Sequence, residues 1–404
     1  IPEDSTITQC NTRDSIDIVP LLVIDSADSG DRIKWEVTQL PKHWSTSKQS
    51  LEMQSIGGTL QPSQWKMSSN GSEKLDSITV RIFDEFTSAE KTIFLQSNSW
   101  MGTVDSNWHN PQNWCNSVIP NDSATITISP SAMYQPVLTG THGIKNLYLN
   151  SGASLRISGT LKMSGTMQAD SAAITAKNAT IEINGNYPQI INGQLFKENK
   201  IEHLVLKNSN GTQVNNRLIV QGNMQIAAGS IFTNGNLYLA ETAAITASAA
   251  GTSIVGVVHA ANIFTKKAAG IYLAGQPFNQ SVVFNDWTSK PKLFYNNAAL
   301  NTDSFSIESG WKPFDFVGDT ATNSWKKYQG IQWHVLSNQN NDNHPAYLSG
   351  PIQMGTQQIL LSQLGNGFNV IANPYLSPVN TGSFTKAKSV SNYKYIWNPL
   401  MGNK

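Results

Sequence analysis

Charged residues are scarce in this sequence. Asp, Glu, Lys and Arg make up 14% of the 404 residues, whereas an average soluble domain carries about 25%. The 28 Lys and Arg oppose 27 Asp and Glu, which gives a formal net charge of +1 at pH 7. Because nucleic acids and anionic lipids are bound through basic faces, this balance excludes broad electrostatic binding to either.

Long apolar runs and sustained helical periodicity are missing as well. No apolar run approaches the ~18 residues that a transmembrane helix needs. No capped segment keeps a 3.6-residue period over about 12 residues. We therefore expect no transmembrane segment and almost no helix.

Alternation of apolar and polar residues is frequent, and Asn, Ser, Thr and Gln supply most of the polar positions. The segments 77–83, 92–95, 124–128 and 180–183 all alternate in this way, as half-buried strands do. Asn-Gly, Ser-Gly and Gly-Gly pairs separate them. The sequence predicts an all-β chain in three parts, residues 1–98, 99–265 and 266–404.

Residues 1–98 predict an immunoglobulin-like β-sandwich, since seven strand candidates fit that fold. These candidates are Thr6–Gln9, Ser15–Ile24, Asp31–Thr38, Ser50–Ser55, Gln64–Ser68, Asp76–Phe83 and Glu90–Gln96. Residues 57–62, 76–84 and 88–93 resemble a repeat of large exported Bacteroidetes proteins. The resemblance implies an extracellular stalk module.

Residues 99–265 contain an internal repeat of 57 positions. Ile144–Leu149 recurs as Ile201–Leu206, and Leu161 recurs as Leu218. Apolar anchors between them are spaced by six to eight residues, so three short strands would make a coil of about 19–20 residues. The spacing favours a parallel β-helix or related β-solenoid, in which 57 residues make about three coils. A sandwich of duplicated hairpins is the alternative.

Three tryptophans, Trp100, Trp108 and Trp114, open this middle part. With Gly102 and the turn at Pro120, they resemble a motif of Bacteroidetes surface proteins that opens a solenoid segment; Met101 and Ile119 depart from it. We predict that they form an aromatic cap, because aromatic side chains cover much apolar area at the end of a solenoid. A ligand platform is the alternative.

Residues 266–404 lose the period and are rich in aromatic residues. Strand candidates Gly330–Leu336, Gln357–Ser362 and Phe368–Ala372 predict a second antiparallel β-sandwich, incomplete at the C-terminus. Residues 365–380 resemble the Gly-Asn-Pro-Tyr-Pro-Ser-Pro segment of exported Bacteroidetes proteins, which implies type IX secretion. Four tryptophans here are candidates for stacking on sugar rings, with burial in the core as the alternative: Trp287, Trp311, Trp325 and Trp333.

Catalytic and cofactor motifs are not found in the sequence. In the middle part only Asp170, Glu182 and Glu202 are spaced so that two carboxylates could meet, as glycoside hydrolysis requires. The loop between His334 and His344 could hold a hard cation, but a polar turn explains it equally. We expect no catalytic residue, no metal and no cofactor.

The two cysteines, Cys10 and Cys115, are predicted to form a disulfide. In a seven-strand sandwich the first and last strands end at the same pole. Cys10, after the first strand, would thus lie near the start of the solenoid and Cys115. Two free buried thiols are the alternative.

These features favour a structural and adhesive segment of a large exported, extracellular cell-surface protein. Because the chain starts without a methionine and ends just after an aromatic strand, we expect a piece of a longer protein. Its expected partners are the type IX secretion machinery and possible glycans or surfaces, with no nucleic acid. Carbohydrate-binding modules of a secreted polysaccharide-degrading enzyme are the alternative.

Overall fold

The computed structural model describes most of the chain. The described residues are 5–8, 16–17, 23–25, 30–42, 44–55, 58–60, 65–69, 76–96, 98–247, 251–261, 270–283, 292–300, 310–314, 324–335, 347–365, 367–376, 379–380, 382 and 384–390. Within these ranges the chain forms strands and a few 3₁₀ turns and contains no α-helix. The all-β prediction is confirmed.

The described residues of the N-terminal part form ten strands. They are β1 (Ser5–Thr8), β2 (Ile16–Asp17), β3 (Val23–Asp25), β4 (Arg32–Gln39), β5 (Trp44–Thr46), β6 (Ser50–Gln54), β7 (Gly58–Leu60), β8 (Lys66–Ser69), β9 (Asp76–Phe83) and β10 (Ser88–Gln96). Five of them form a sheet in the order β1-β10-β9-β4-β6, and β2-β8-β5 form a second.

Alternation along β4 and β9 turns one face of the larger sheet inward. Trp35 of β4 and Ile78 of β9 share a buried core with Trp65 and with Met67 of β8 from the second group of strands. Strand β1 runs parallel to β10, with Thr8 opposite Gln96. The first strand of this part therefore ends beside the end of its last strand.

Nineteen strands follow among the residues of the middle part that the structure describes. They are β11 (Ser99–Trp100), β12 (Thr125–Ile128), β13 (Val137–Leu138), β14 (Thr141–Ile144), β15 (Asn146–Leu149), β16 (Leu155–Ile157), β17 (Thr160–Met163), β18 (Met167–Gln168), β19 (Ile174–Ile183), β20 (Gln189–Asn192), β21 (Phe196–Leu206), β22 (Thr212–Asn215), β23 (Leu218–Val220), β24 (Asn223–Ile226), β25 (Ser230–Phe232), β26 (Leu237–Leu239), β27 (Ala244–Ala247), β28 (Ser253–Val255) and β29 (Val258–Ala261). Short 3₁₀ turns lie at Pro111–Asn113, Cys115–Ser117 and Gly193–Leu195.

Parallel pairing between successive coils identifies this part as a β-solenoid, and that prediction is confirmed. Leu155 of β16 pairs with Ile174 of β19, 19 positions on. Leu218 of β23 pairs with Leu237 of β26, also 19 positions on. All four side chains are buried. Each coil therefore places its aliphatic side chains directly over those of the neighbouring coil.

The chain divides into two compact units. Unit 1 comprises residues 1–185 and 195–198, and unit 2 comprises residues 186–194 and 199–404. The boundary falls within the solenoid, whereas the sequence predicts boundaries at its two ends. In-register ladders occur inside each unit, for example β13-β16-β19 in unit 1 and β23-β26-β29 in unit 2.

The C-terminal part is antiparallel but less regular than predicted. Its strands are β30 (Gly270–Ala274), β31 (Val282–Val283), β32 (Lys292–Asn296), β33 (Trp311–Pro313), β34 (Ser324–Trp325), β35 (Ile331–Val335) and β36 (Tyr347–Gly350), with a 3₁₀ turn at Ala298–Leu300. They form the sheets β30-β35-β32-β33 and β31-β34, while β36 pairs antiparallel with β29.

The predicted strands 357–362 and 368–372 are wrong. Neither segment is a strand, and only an isolated bridge joins Ile371 to Gln329. The Asn369 side chain accepts a hydrogen bond from the Ser362 N–H at 2.8 Å and donates one to the Ser362 carbonyl at 2.9 Å. An amide side chain therefore binds the backbone groups that a neighbouring strand would otherwise pair.

Gly159 is required where two coils meet. An added Cβ would lie 2.5 Å from the Thr139 carbonyl oxygen and closer still to that of Gly140. Because both contacts are with backbone, we expect Gly159→Ala to lower the free energy of unfolding of unit 1 by about 1–3 kcal/mol. Urea denaturation measures the effect.

Gly152→Ala is the matched control in unit 1. Its Cβ would meet only the Pro130 ring, at 3.5 Å, although the φ of +83° makes any side chain strained there. The substitution should cost only that backbone strain, about 1 kcal/mol. A Gly159→Ala chain as stable as the wild type would contradict the close approach.

Candidate functional site

The three predicted tryptophans meet in one buried cluster at the start of the solenoid. Trp108 is fully buried, and Trp100 and Trp114 are each 2% exposed. The Trp108 and Trp114 ring centroids lie 4.8 Å apart at 76°, and those of Trp100 and Trp114 lie 5.1 Å apart at 85°. Edge-to-face contacts of this kind stabilise aromatic pairs beyond the area that they bury.

Backbone and indole groups hold the cluster against the first coils. The Trp100 Nε1–H donates to the Tyr134 carbonyl at 2.6 Å, and the Trp114 Nε1–H donates to the Trp108 carbonyl at 2.7 Å. Trp100 belongs to β11, which pairs with β12, and also forms a bridge with Trp114. Buried this deeply, the indole rings offer no face to a ligand. This burial does not support the alternative of a ligand platform, and the aromatic cap stays a prediction.

Glycine stands two residues after the first tryptophan for a steric reason. Gly102 has φ of +52°, and its added Cβ would lie 2.5 Å from the Trp100 Nε1. Its carbonyl accepts from the Tyr134 N–H at 3.0 Å. The Trp-Met-Gly order therefore places a tight left-handed turn directly beside the indole ring.

Asn113 and Asp105 organise the loop that carries Trp108. The buried Asn113 Oδ1 accepts from the N–H groups of Val104 and Asp105 at 3.0 and 3.1 Å. The Asp105 carboxylate accepts from the Asn110 side chain, the Asn107 N–H and the Asn113 side chain. These hydrogen bonds hold the pKa of Asp105 below its usual value, since they favour the ionised form.

Two histidines that the sequence analysis did not single out lie beside the cluster. The His142 ring centroid is 5.5 Å from that of Trp108 and 5.8 Å from that of His109. Within the described part of the chain, the Nε2 atoms of both histidines and the Trp108 Nε1 are buried without a hydrogen-bond partner. Burial, together with the nearby His109, lowers the pKa of His142 despite a hydrogen bond to Pro120 and the charge of Asp122.

The depressed pKa of His142 predicts a loss of stability in mild acid. Below pH 6.5, the ordinary value for histidine, the unfolded chain takes up a proton that the folded chain resists. The free energy of unfolding of unit 1 should therefore fall as the pH is lowered through this range. Urea denaturation of the wild type and of His142→Gln between pH 7.5 and 5 measures it.

The His142→Gln chain should show a weaker pH dependence than the wild type. His203→Gln is the control, because the His203 Nδ1 accepts from the Asn223 N–H on the solenoid surface of unit 2. Equal slopes for the wild type and His142→Gln would contradict the assignment.

Two of the four C-terminal tryptophans have no exposed face for stacking. Trp325 and Trp333 are buried, and the Trp325 Nε1–H donates to the Gln329 carbonyl at 2.8 Å. For these two the sugar-stacking prediction is wrong, because their side chains are buried and burial was the alternative. Trp311 is partly exposed in β33, and Trp287 lies outside the described residues.

Two of the three carboxylates considered for catalysis, those of Asp170 and Glu182, have surroundings that the structure describes in detail. The Asp170 Oδ2 accepts from the Gly152 N–H at 3.2 Å, and Glu182 is buried in β19. No group of three or more His, Cys, Asp or Glu side chains that could hold a metal ion occurs among the residues described. The loop 338–343 and His344 lie outside those residues.

Cys115 is buried in the turn Cys115–Ser117, directly after Trp114. The described part of the chain contains no free cysteine. Cys10 lies outside the described residues, so its pairing with Cys115 stays a prediction.

Within the described segments, the chain contains no helix long and apolar enough to span a membrane. Comparison of the chain with protein-family models, with curated proteins and with solved structures gave no match.

Proposed function

We propose that this chain is a structural and adhesive segment of a larger exported cell-surface protein and a substrate of a type IX secretion system. It acts without catalysis, as part of a stalk that presents β-sheet surfaces outside the cell. The resemblances at residues 57–93, 100–120 and 365–380 suggest the export route. The fold suggests the mechanical role.

The in-register stacking of coils is the observation that carries the mechanical role. In unit 1, Leu161 of β17 pairs with Ile181 of β19; in unit 2, Met224 of β24 pairs with Ile245 of β27. Each coil is held to its neighbour by backbone hydrogen bonds and a buried aliphatic stack. Stability is therefore distributed from coil to coil, as in other solenoids.

Edge protection supports the same role. In unit 2, β36 runs antiparallel to β29 and pairs with the edge of its ladder, with Val258 opposite Gly350. The Tyr238 ring of β26 stacks on the His259 ring of β29, with the ring centroids 4.2 Å apart. The Arg217 guanidinium lies over the same Tyr238 ring, 4.5 Å from its centroid. Covering an edge strand prevents uncontrolled pairing with another chain.

Surface labelling tests the proposal. Antibodies against the purified chain should label intact cells of the organism that makes it, while a periplasmic marker stays unlabelled. Labelling should be lost in a strain that lacks the type IX outer-membrane translocon. Labelling that appears only after permeabilisation would contradict the surface location, and undiminished labelling in the secretion mutant would contradict the route.

A further inference from the structure

A row of exposed side chains crosses the sheet β20-β22-β25-β28 of unit 2. Ile190 pairs with Gln213, Gln213 with Phe232, and Phe232 with Val255, so one residue from each strand lies in the row. Ile190 is 52% exposed, Phe232 44% and Val255 45%. At 4.7–4.9 Å per strand, this outer row is about 14 Å long.

Uncharged polar side chains flank the outer row on both sides. On one side, the Ser230 and Ser253 hydroxyls lie 2.7 Å apart. On the other side, Asn192 pairs with Asn215, and the Asn216 Nδ2 donates to the Asn192 Oδ1 at 2.7 Å. Hydroxyl and amide groups at the edges of an apolar row can both donate and accept hydrogen bonds.

The sheet that carries the row is free of ionisable residues. Its strands read Gln-Ile-Ile-Asn, Thr-Gln-Val-Asn, Ser-Ile-Phe and Ser-Ile-Val. The neighbouring strand β21 of the same solenoid places Lys200 and Glu202 at partly exposed positions. A charged partner would lose its hydration on the neutral sheet without gaining an opposite charge, so the surface fits a neutral partner.

Phe232 lies over a glycine. An added Cβ at Gly211, which has φ of +93°, would come 3.1 Å from the Phe232 Cε2. Glycine at this position therefore leaves room for the ring to extend over the backbone of the neighbouring strand, while nearly half of the residue stays exposed. An aromatic ring placed in this way can stack against the apolar face of a flat molecule.

We propose that this outer row binds a neutral, extended polysaccharide. A sugar ring has an apolar face and a rim of hydroxyl groups, which match the apolar row and its flanking amides and hydroxyls. The chain would lie along the row and contact successive strands of the ladder. This inference deepens the proposed adhesive function and rests on it, because it names the ligand class that the surface segment would hold.

Binding of neutral hexasaccharides to the whole 404-residue chain tests the proposal. We expect calorimetry to detect binding of at least one of cellohexaose, mannohexaose and xylohexaose, and weaker or no binding of polygalacturonate. Phe232→Ala should weaken the binding about tenfold, since an aromatic stacking contact contributes on this scale. Phe232→Tyr keeps the ring and should bind within about twofold of the wild type.

Phe86→Ala is the matched control, because Phe86 is a phenylalanine of unit 1 that is 83% exposed and does not belong to the row. It should leave the affinity unchanged. Failure of all three hexasaccharides to bind, equal affinity for polygalacturonate, or unchanged affinity of a folded Phe232→Ala chain would each overturn the proposal. If sedimentation showed that the wild-type chain is a dimer and that Phe232→Ala dissociates it, the polysaccharide proposal would be overturned. The row would then bind a second copy of the chain.

Surface labelling separates this proposal from the function on which it rests. Cells that carry Phe232→Ala should be labelled as strongly as wild-type cells. Lost hexasaccharide binding with intact labelling would remove only the ligand assignment, whereas absent labelling of wild-type cells would remove the proposed function itself.

Discussion

Replacing Trp108 by alanine is expected to lower the free energy of unfolding of unit 1 by about 3–5 kcal/mol. Trp108 is fully buried between Trp114 and His142, with ring centroids 4.8 and 5.5 Å away. The truncation would leave a cavity at the start of the solenoid, where the first coil has no preceding coil to fill the space. Urea denaturation, with hydrogen exchange of the β12 and β15 amides, measures the loss.

Two comparisons separate packing from a general sensitivity of unit 1. Phe86→Ala removes an exposed ring of the same unit and should change stability by less than about 0.5 kcal/mol. Trp108→Phe keeps an aromatic ring and should recover part of the loss. If the Trp108→Ala chain kept the wild-type midpoint and amide protection, the aromatic cluster would not be covering the end of the solenoid.

The length of the coil could be predicted from the sequence, because buried aliphatic residues recur once per strand. Coil-to-coil pairs such as Leu155 with Ile174 and Thr141 with Thr160 are 19 positions apart. The spacing of the apolar anchors does not give the exact length of every coil. For example, Gln189 pairs with Thr212, 23 positions on, so this coil is four residues longer than the others named here. The extra residues lie between Asn192, which pairs with Asn215, and Lys200, which pairs with Ile219. This segment contains the 3₁₀ turn Gly193–Leu195 and the buried Phe196.

The 57-residue repeat does not align equivalent strands. Two residues separate β16 from β17 in unit 1, and two separate β23 from β24 in unit 2, so β23 corresponds to β16 and β24 to β17. Leu161 lies in β17, whereas its sequence match Leu218 lies in β23. Strands of one solenoid share the same alternation of apolar and polar residues, and such a pattern can match at a register that the fold does not use.

The aromatic cluster was predictable only in part. The spacing of Trp100, Trp108 and Trp114 indicated a common role, because three large apolar side chains so close in sequence need a shared core. The contribution of Asn113 could not be predicted, since a single amide in an Asn-rich chain looks like any turn residue.

The outer row could not be predicted from the sequence either. Ile190 and Val255 alternate with less exposed residues within their own strands, but only the pairing of the four strands aligns them in one row.

Reduction of a disulfide between Cys10 and Cys115 is expected to destabilise unit 1 by about 4–5 kcal/mol, the value that the chain-entropy model gives for a closed loop of about 105 residues. The strand pairing supports the connection: Thr8, two residues before Cys10, lies opposite Gln96 at the end of the sandwich. From there the chain passes through Trp100, which forms a bridge with Trp114, the neighbour of Cys115. Both cysteines therefore follow residues held at the same junction.

Peptide mapping without reductant should recover one cross-linked peptide that contains both cysteines, and alkylation of the native chain should label neither. Urea denaturation with and without reductant measures the stability difference. Cys10→Ser, Cys115→Ser and the double variant should all lose the same amount, because each removes the same cross-link. Two alkylatable thiols in the native chain would disprove the bond. A confirmed bond would favour an oxidising, exported setting, and a stalk that is tied at the junction between its sandwich and its solenoid would resist separation of the two under load.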